Sequence, residues 1–214
     1  MTLEETLAQI KPLDKNAMDV AAKRWDSIAK PLHSLGKMEK LVIQIAGITG
    51  NPDMKIQKRA LVPMCADNGV VEEGVTQTGQ EVTAIVAENF LSGDTSACVM
   101  SRQCGTKVIP VDIGMAVDTK VSKELKVAYG TANMTKGPAM TRAQAVQALE
   151  AGIEMVRRLK EEGYGLLATG EMGIGNTTTS SAVASVLLDR SVEERGRSFR
   201  RWTESKNQCN QKSN

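Results

Sequence analysis

The sequence predicts an α/β fold, with a mostly parallel sheet covered by helices on both faces (Rossmann-like) and a small helical N-terminal part. Two observations carry this prediction. Short apolar runs alternate with longer segments of helical periodicity from about residue 59 to residue 188, which is the pattern of strand–helix–strand units. A glycine-rich turn joins one of these apolar runs to the helix that follows it. Residues 1–50 instead contain only helical patterns.

Each element follows from its own pattern. Residues 1–30 have apolar side chains at helical spacing, interrupted at Pro12, and residues 38–48 repeat that spacing. Gly93 breaks one later helix, and Thr141 is a typical N-cap of another. Pro63 is unusual inside a central strand. The remaining predicted elements are a strand at 59–66, a helix at 80–100, a strand at 107–114, a helix at 141–162, a short buried strand at 164–168 and a helix from 177.

Composition excludes several classes of function. The chain has 214 residues and a formal charge of +2, with 3% aromatic residues, so neither a nucleic-acid partner nor a base-stacking surface is expected. Its four cysteines lack CxxC spacing, and His33 is the sole histidine; we therefore expect no metal site and no cofactor. No apolar run is long enough to cross a bilayer, and the acidic start is unlike a signal peptide. The chain is predicted to be cytoplasmic, without membrane contact.

The most informative segment is GEMGIGNTTTSS, residues 170–181. Glycines allow a ligand to approach the backbone closely, and the first turn of a helix presents N–H groups to anions. A phosphate is the expected ligand, and its predicted contacts are Gly173, Ile174, Gly175, Asn176, Thr177 and Thr178. Glu171 is the candidate catalytic residue, with an acid/base or hydroxyl-binding role. The alternative is an ordinary strand-to-helix turn with threonine capping.

Two further polar clusters follow predicted strands, at residues 67–69 (DNG) and 112–114 (DIG). The carboxyl ends of parallel strands lie at one edge of the sheet, where ligands bind. We therefore expect both clusters to converge on the glycine-rich turn. For Asp67 and Asp112 taken singly, turn formation is an equally good explanation.

Several segments together resemble the family of nicotinate-nucleotide–dimethylbenzimidazole phosphoribosyltransferases. Residues 30–36 (KPLHSLG) are similar to its KPxGSLG signature, and residues 170–178 are nearly its GEMGIGNTT. The resemblance covers roughly residues 20–195. The other matching segments are DNGV with EGV at 67–75, QEVT with NFL at 80–91, VDIG at 111–114, and TANMT with GPAMT at 131–141.

The resemblance implies an activity in cobalamin biosynthesis. Such enzymes transfer the phosphoribosyl group of nicotinate mononucleotide to 5,6-dimethylbenzimidazole, which gives α-ribazole 5′-phosphate and nicotinate. It also implies roles for residues of this chain. Residues 173–178 would hold the phosphate and Glu171 would lie near the ribose. Ser34 and Gly36 would belong to a loop over the site, and Asp67, Asn68, Thr76 and Gln80 would line it. The substrates would be the mononucleotide and a benzimidazole-type base, and the assembly a homodimer.

Three departures from the family pattern stand out. His33 replaces a glycine, and Asn68 replaces a histidine and so cannot titrate near neutral pH. Family members also continue well past this length, and their C-terminal part carries the carboxylate expected to deprotonate the base.

The predicted domains are a helical segment at 1–50, an α/β nucleotide-binding core at 51–194 and an aberrant tail at 195–214. The tail lacks apolar periodicity. When codons are chosen for residues 197–214 and the resulting DNA is read one nucleotide later, the translated segment resembles the family's GRGxGLxDEGLxRK. We therefore predict a frameshift near residue 195 and a truncated transferase.

Two other functions are left open by the residues. A non-catalytic chain could still bind a nucleoside monophosphate through the glycine-rich turn. A generic nucleotide-binding domain is the weaker alternative, because neither GxxxxGK[ST] nor a clean GxGxxG is present.

Overall fold

The computed structural model describes residues 1–189, and the chain divides into two compact units, Met1–Gln57 and the part that begins at Lys58. The predicted aberrant tail at 195–214 lies outside the described residues. Among the described helices, none is long and apolar enough to cross a membrane.

The first unit is helical, as its sequence pattern predicts. Its three helices are α1 (Leu3–Ala8), α2 (Lys15–Ser27) and α3 (Lys37–Thr49). Asp14 caps α2 by accepting a hydrogen bond from the backbone N–H of Ala17. The helices α2 and α3 pack against each other through small buried side chains, among them Ala21 and Ala46. A left-handed Gly50 ends α3.

The second unit is built on a parallel sheet whose central strand is β1 (Lys58–Ala66). One edge of β1 pairs with β2 (Lys107–Val108) and then with β3 (Val111–Gly114). The other edge pairs with β4 (Tyr164–Met172). All of these pairings are parallel, which confirms the predicted sheet class.

The predicted single strand at 107–114 is wrong, because it is divided at Ile109–Pro110. The same division explains how β1 accommodates Pro63. The register places Leu61 beside Val108 and Met64 beside Val111, so Pro63 lies opposite the interruption. Leu61 accepts a hydrogen bond from Ile109 on this side. Pro63, two residues further, therefore directs its missing N–H to the gap, where Pro110 also lacks a donor.

Helices cover both faces of the sheet. Cys65 belongs to a core cluster with Phe90 and Cys98, contributed by α4 (Glu81–Ser92) and α5 (Ser96–Gln103). Ala60 and Val62 belong to a second cluster with Leu159 of α6 (Arg142–Glu161). The predicted break at Gly93 separates α4 from α5, and Thr141 caps α6 in a capping box. The α/β class with helices on both faces is confirmed.

Strand β4 differs from the short buried strand that its apolar run predicts. It extends to Met172, so Gly170 and Glu171 belong to the strand and the turn begins only at Gly173. Leu166 is 43% exposed, and no residue of β4 is fully buried. An apolar run indicates that a strand is suited to burial, but the elements packed around it decide whether it is buried. Helix α7 (Asn176–Leu187) follows the turn.

Candidate functional site

The three polar clusters that follow the strands lie together, as the sheet topology predicts. Asp67, at the end of β1, donates its backbone N–H to the carbonyl of Gly114, at the end of β3, over 2.9 Å. Its side-chain Oδ2 accepts the N–H of Ala116 at 2.8 Å. Its other oxygen, Oδ1, is buried and has no hydrogen-bond partner within residues 1–189. A carboxylate thus lies at the strand ends with one oxygen still available to a donor.

Asn68 joins the end of β1 to the glycine-rich turn. Its side-chain Nδ2 donates to the carbonyl of Ile174 at 3.1 Å, and its Oδ1 accepts the hydroxyl of Thr179 at 3.0 Å. The Gln80 side chain donates to the Asn68 backbone carbonyl at 3.1 Å. Both ends of the Asn68 amide are therefore occupied. The residue that replaces the family's histidine has a structural role here, as a brace for the turn.

The turn approaches β1 so closely that only glycine fits at its start. A Cβ added to Gly173 would lie 2.1 Å from the carbonyl oxygen of Ala66. The backbone N–H of Ile174 donates to Thr83 Oγ1 at 3.1 Å, which fixes the middle of the turn. Gly175 has a left-handed φ of +88° and is the N-cap of α7. The turn is thus held from β1 and from α4, which makes it a rigid platform.

The N-terminus of α7 has the features expected of an anion site. Within residues 1–189 no side chain caps it by a hydrogen bond, so no capping group among them offsets the positive end of the helix dipole. Asn176 is the first helical residue, and its side chain donates a hydrogen bond to the Glu171 carboxylate. Thr177 is exposed, whereas Thr178 is buried, with Oγ1 unpartnered among the described residues. Of the six predicted contacts, Thr177 alone is exposed, Ile174 and Asn176 are half-buried, and Gly173, Gly175 and Thr178 are buried.

Glu171 lies at the carboxyl end of β4, beside Met64 of β1, and its side chain is exposed. Its hydrogen bond from Asn176 holds the carboxylate close to the start of α7. The predicted catalytic residue and the predicted phosphate turn are thus adjacent in space as well as in sequence.

A buried ion pair stands beside this edge, and it was not predicted from the sequence. Lys126 places its Nζ 3.0 Å from Asp112 Oδ2, with side-chain exposures of 6% and 0%. Asp112 also accepts the backbone N–H groups of Gly114 and Met115 through Oδ1. Burial by itself would lower the pKa of the Lys126 ammonium, but hydrogen bonds to Asp112 and Asp118 outweigh it and raise that pKa. Lys126 lies in a polar segment without periodicity, so no sequence signal marks it.

Cys65 is unsuited to nucleophilic chemistry despite its position near these carboxylates. Burial, and then the negative charge of Asp112, raise the pKa of its thiol to about 12. The thiolate is therefore scarce at neutral pH, and Cys65 is a core residue.

The predicted base-pocket residues are Thr76 and Gln80. Gln80 contacts the Asn68 carbonyl, and Thr76 is half-buried with its hydroxyl donating to the carbonyl of Thr78. A separate apolar cavity of about 110 Å³ lies beside Ala66 and Gly114. It was not predicted, because its walls come from segments distant in sequence, up to Ala148.

Ser34 and Gly36 lie in the first unit, in the loop that precedes α3. Glu39 holds this loop, since its carboxylate accepts the backbone N–H of Leu35 at 3.1 Å and pairs with Lys30 Nζ at 2.9 Å. The hydrogen bond from Lys30 is the main reason that the pKa of Glu39 is lowered. His33 has a left-handed φ of +58°, a conformation that glycine adopts without strain. This backbone geometry accounts for the glycine that the family pattern has at the position.

The second unit has a parallel α/β sheet with a glycine-rich turn at its carboxyl edge. A family model described as phosphoribosyltransferase matches residues 10–198, which identifies the class of protein. The chain belongs to the family of nicotinate-nucleotide–dimethylbenzimidazole phosphoribosyltransferases. A relative of that name from Clostridium tetani is 52% identical over 187 residues, covering 86% of this chain. Another, from Ruminiclostridium cellulolyticum, is 50% identical over 196 residues and covers 91% of this chain.

Solved structures agree with the fold. The crystal structure of CobT from Thermus thermophilus is 36% identical, with a TM-score of 0.80 over 89% of this chain. The matched region is only part of each of these proteins: 52% of the Clostridium tetani relative, 56% of the Ruminiclostridium relative and 60% of the Thermus chain. The chain therefore spans little more than half the length of the proteins it matches.

Proposed function

We propose that the glycine-rich turn and the first turn of α7 bind the 5′-phosphate of nicotinate mononucleotide. We further propose that the chain serves the transfer of its phosphoribosyl group to 5,6-dimethylbenzimidazole in cobalamin biosynthesis. The observation that carries the proposal is the turn itself, braced by Asn68 and Thr83 beside an uncapped helix N-terminus. Phosphate binding at such a terminus is a general property of α/β proteins. The relatives from Clostridium tetani and Ruminiclostridium cellulolyticum are named for these two substrates, which supports the choice.

The residues of the site have distinct roles in this proposal. Glu171 lies at the strand end beside the phosphate turn, where a fixed carboxylate would stabilise positive charge that develops on the ribose. Gln80 and Thr76 would border the acceptor base. Holding two small molecules in line removes much of the entropic barrier to their reaction.

The transfer is tested with the chain extended by the part of the Clostridium tetani relative that lies beyond the matched region. We expect nicotinate to be released from nicotinate mononucleotide only when dimethylbenzimidazole is added, with α-ribazole 5′-phosphate formed in equal amount. Chromatography of both products measures this. The extended protein with Glu171→Gln is the control for the site. Release of nicotinate without the base, or no release at all, would contradict the proposed reaction.

Binding without turnover is the second candidate function, favoured by the completeness of the phosphate turn within this chain. It predicts measurable affinity of the unextended chain for nicotinate mononucleotide, read by calorimetry, with no nicotinate released.

Asn176→Ala is expected to weaken mononucleotide binding roughly tenfold, the usual effect of losing one hydrogen bond to a charged group. The change leaves the Glu171 carboxylate without the amide that now contacts it, so that its negative charge faces the bound phosphate. Titration calorimetry of the wild type and the variant measures the difference. The control is Ser180→Ala, an exposed position one turn further along α7. Equal affinities of the wild type and Asn176→Ala would exclude this turn as the phosphate site.

Cytoplasmic location, predicted from the composition, and a homodimeric assembly, implied by the resemblance, belong to the same proposal. Light scattering on the extended protein is expected to give twice the mass of one chain.

A further inference from the structure

The apolar cavity of the second unit lies between the ends of β1 and β3 and the start of α6. Its volume is about 110 Å³, and Ala66, Gly114 and Ala148 are among the residues that line it. Six of the eleven lining residues within 1–189 are glycine or alanine, so no large side chain fills the space. The phosphate turn, residues 173–178, does not contribute to its walls. Close-packed protein interiors contain few voids larger than a water molecule, so a space of this size is unusual.

Two hydrogen-bond donors border the cavity. Gln144 uses its Oε1 to accept the backbone N–H of Thr141 at 2.8 Å, in the capping box of α6. That bond fixes the orientation of the amide, and its Nε2 has no hydrogen-bond partner within residues 1–189. Thr131 Oγ1 accepts the backbone N–H of Gly69 at 3.1 Å, which leaves the hydroxyl proton available for donation. A ligand with an acceptor atom would therefore pair with a donor that now lacks a partner.

The volume and the walls define the class of ligand. In the described part of the chain the lining residues include no charged side chain, so an ion in the cavity would lose its hydration without compensation. A nucleotide is too large, because sites for drug-sized ligands measure about 300–1,000 Å³. A cavity of about 150 Å³ is enough to bind benzene. The suitable ligand is therefore an uncharged molecule with one aromatic ring and an acceptor atom.

The cavity is connected both to solvent and to the strand ends. Met140 lines it and is 43% exposed, so a ligand can enter by displacing this flexible side chain. The backbone N–H of Thr131 donates to the carbonyl of Asp67 at 3.0 Å, and Asp67 donates to the carbonyl of Gly114 at 2.9 Å. Direct hydrogen bonds thus join two wall residues to the carboxyl edge of the sheet.

We propose that this cavity is a second ligand site, which binds an uncharged single-ring aromatic molecule with a nitrogen or oxygen acceptor. The ring would lie among the glycine and alanine walls, and its acceptor would receive a hydrogen bond from Gln144 Nε2. The phosphate turn takes no part in this site, so the proposal is independent of the proposed function.

The test uses the full chain and two fluorinated rings of nearly equal size, 3-fluoropyridine and fluorobenzene. Only 3-fluoropyridine has an acceptor nitrogen, and it is uncharged at neutral pH. Fluorine NMR titration measures the affinity of each ring. We expect 3-fluoropyridine to bind with a Kd of about 1 mM, a typical affinity for a ligand of about seven heavy atoms. Fluorobenzene cannot accept the hydrogen bond from Gln144, so it should bind roughly fivefold more weakly.

Three substitutions on α6 locate the ligand. Ala148→Leu fills part of the cavity with a larger side chain and is expected to weaken binding of 3-fluoropyridine at least about tenfold. Ala143→Leu is the matched control, because it makes the same change at an exposed position of the same helix and should bind like the wild type. Gln144→Glu keeps an acceptor for the capping box but replaces the donor with a carboxylate oxygen. It should abolish the preference for 3-fluoropyridine over fluorobenzene.

Circular dichroism verifies that each variant is folded, and Gln144→Glu keeps the proposal testable if Ala148→Leu does not fold. The proposal is overturned if 3-fluoropyridine does not bind the wild type, if the two rings bind equally, or if Ala148→Leu leaves binding unchanged. Loss of binding in Ala143→Leu, or a preference that survives in Gln144→Glu, would overturn it as well. None of these outcomes depends on nucleotide binding or turnover, so the proposed function stands or fails separately.

Discussion

Gly173→Ala is expected to destabilise the chain by about 3 kcal/mol or more, because the added methyl group meets backbone rather than a movable side chain. Its Cβ would lie 2.1 Å from the Ala66 carbonyl oxygen and 3.0 Å from Asn68 Nδ2. Relief requires either β1 or the turn to move, and each movement breaks the Asn68 hydrogen bond to Ile174. Urea denaturation followed by circular dichroism measures the loss as a lower midpoint.

The matched control is Gly152→Ala in α6. Apart from its chain neighbours and the backbone of its own helix, no atom in the described part of the chain lies within 4 Å of a Cβ at that position, and the residue is helical. Alanine there is expected to stabilise the chain by roughly 0.5–1 kcal/mol through the backbone entropy of the unfolded state. The two substitutions add the same methyl group. Changes of opposite sign in the free energy of unfolding therefore distinguish steric crowding from the replacement of glycine by alanine as such. Equal midpoints for wild type and Gly173→Ala would refute the close approach of the turn to β1.

Lys126→Met is expected to cost about 3–5 kcal/mol, the usual result of removing one partner of a buried ion pair. Asp112 would keep its two backbone hydrogen bonds through Oδ1, but Oδ2 would face no positive charge. The double variant Lys126→Met, Asp112→Asn removes the stranded charge and should recover part of the loss. Thermal or urea unfolding of the single and double variants gives the coupling between the two residues.

The exposed pair of Lys136 and Glu72 is the control for Lys126. Their Nζ–Oε2 distance is 2.7 Å, but both side chains are more than half exposed. Lys136→Met should therefore leave the unfolding midpoint almost unchanged, since solvent screens such pairs. A similar loss in both lysine variants would show that burial is not the reason for the effect.

The raised pKa of Lys126 also sets a pH dependence. The stabilisation is complete below the ordinary lysine pKa of 10.5, and it is lost as the pH rises through the higher folded value. The wild type should consequently lose stability relative to Lys126→Met only in strongly alkaline solution.

Local patterns predicted most helices and the convergence of the site. Thr141 and Gly93 act within a few residues of their own position, so a cap and a helix end can be predicted without tertiary information. The rule that ligands gather at the carboxyl ends of parallel strands was enough to bring Asp67, Gly114 and the turn together.

Contacts between distant segments were not predictable in the same way. The pairing of Lys126 with Asp112 depends on the path of an irregular segment, and the length of β4 depends on its register with β1. Asn68 is the clearest case, since its role as a brace needs Ile174 and Thr179, more than a hundred positions away.

The sequence by itself determined the fold class, the family and the glycine-rich turn, because each is written in residues that are close along the chain. Only the tertiary structure decided which polar groups are buried and paired, and that no residue of β4 is fully buried among the described residues. Burial is a property of the surroundings: the same apolar run is a core strand when neighbours flank it on both sides and an exposed edge strand when they flank only one.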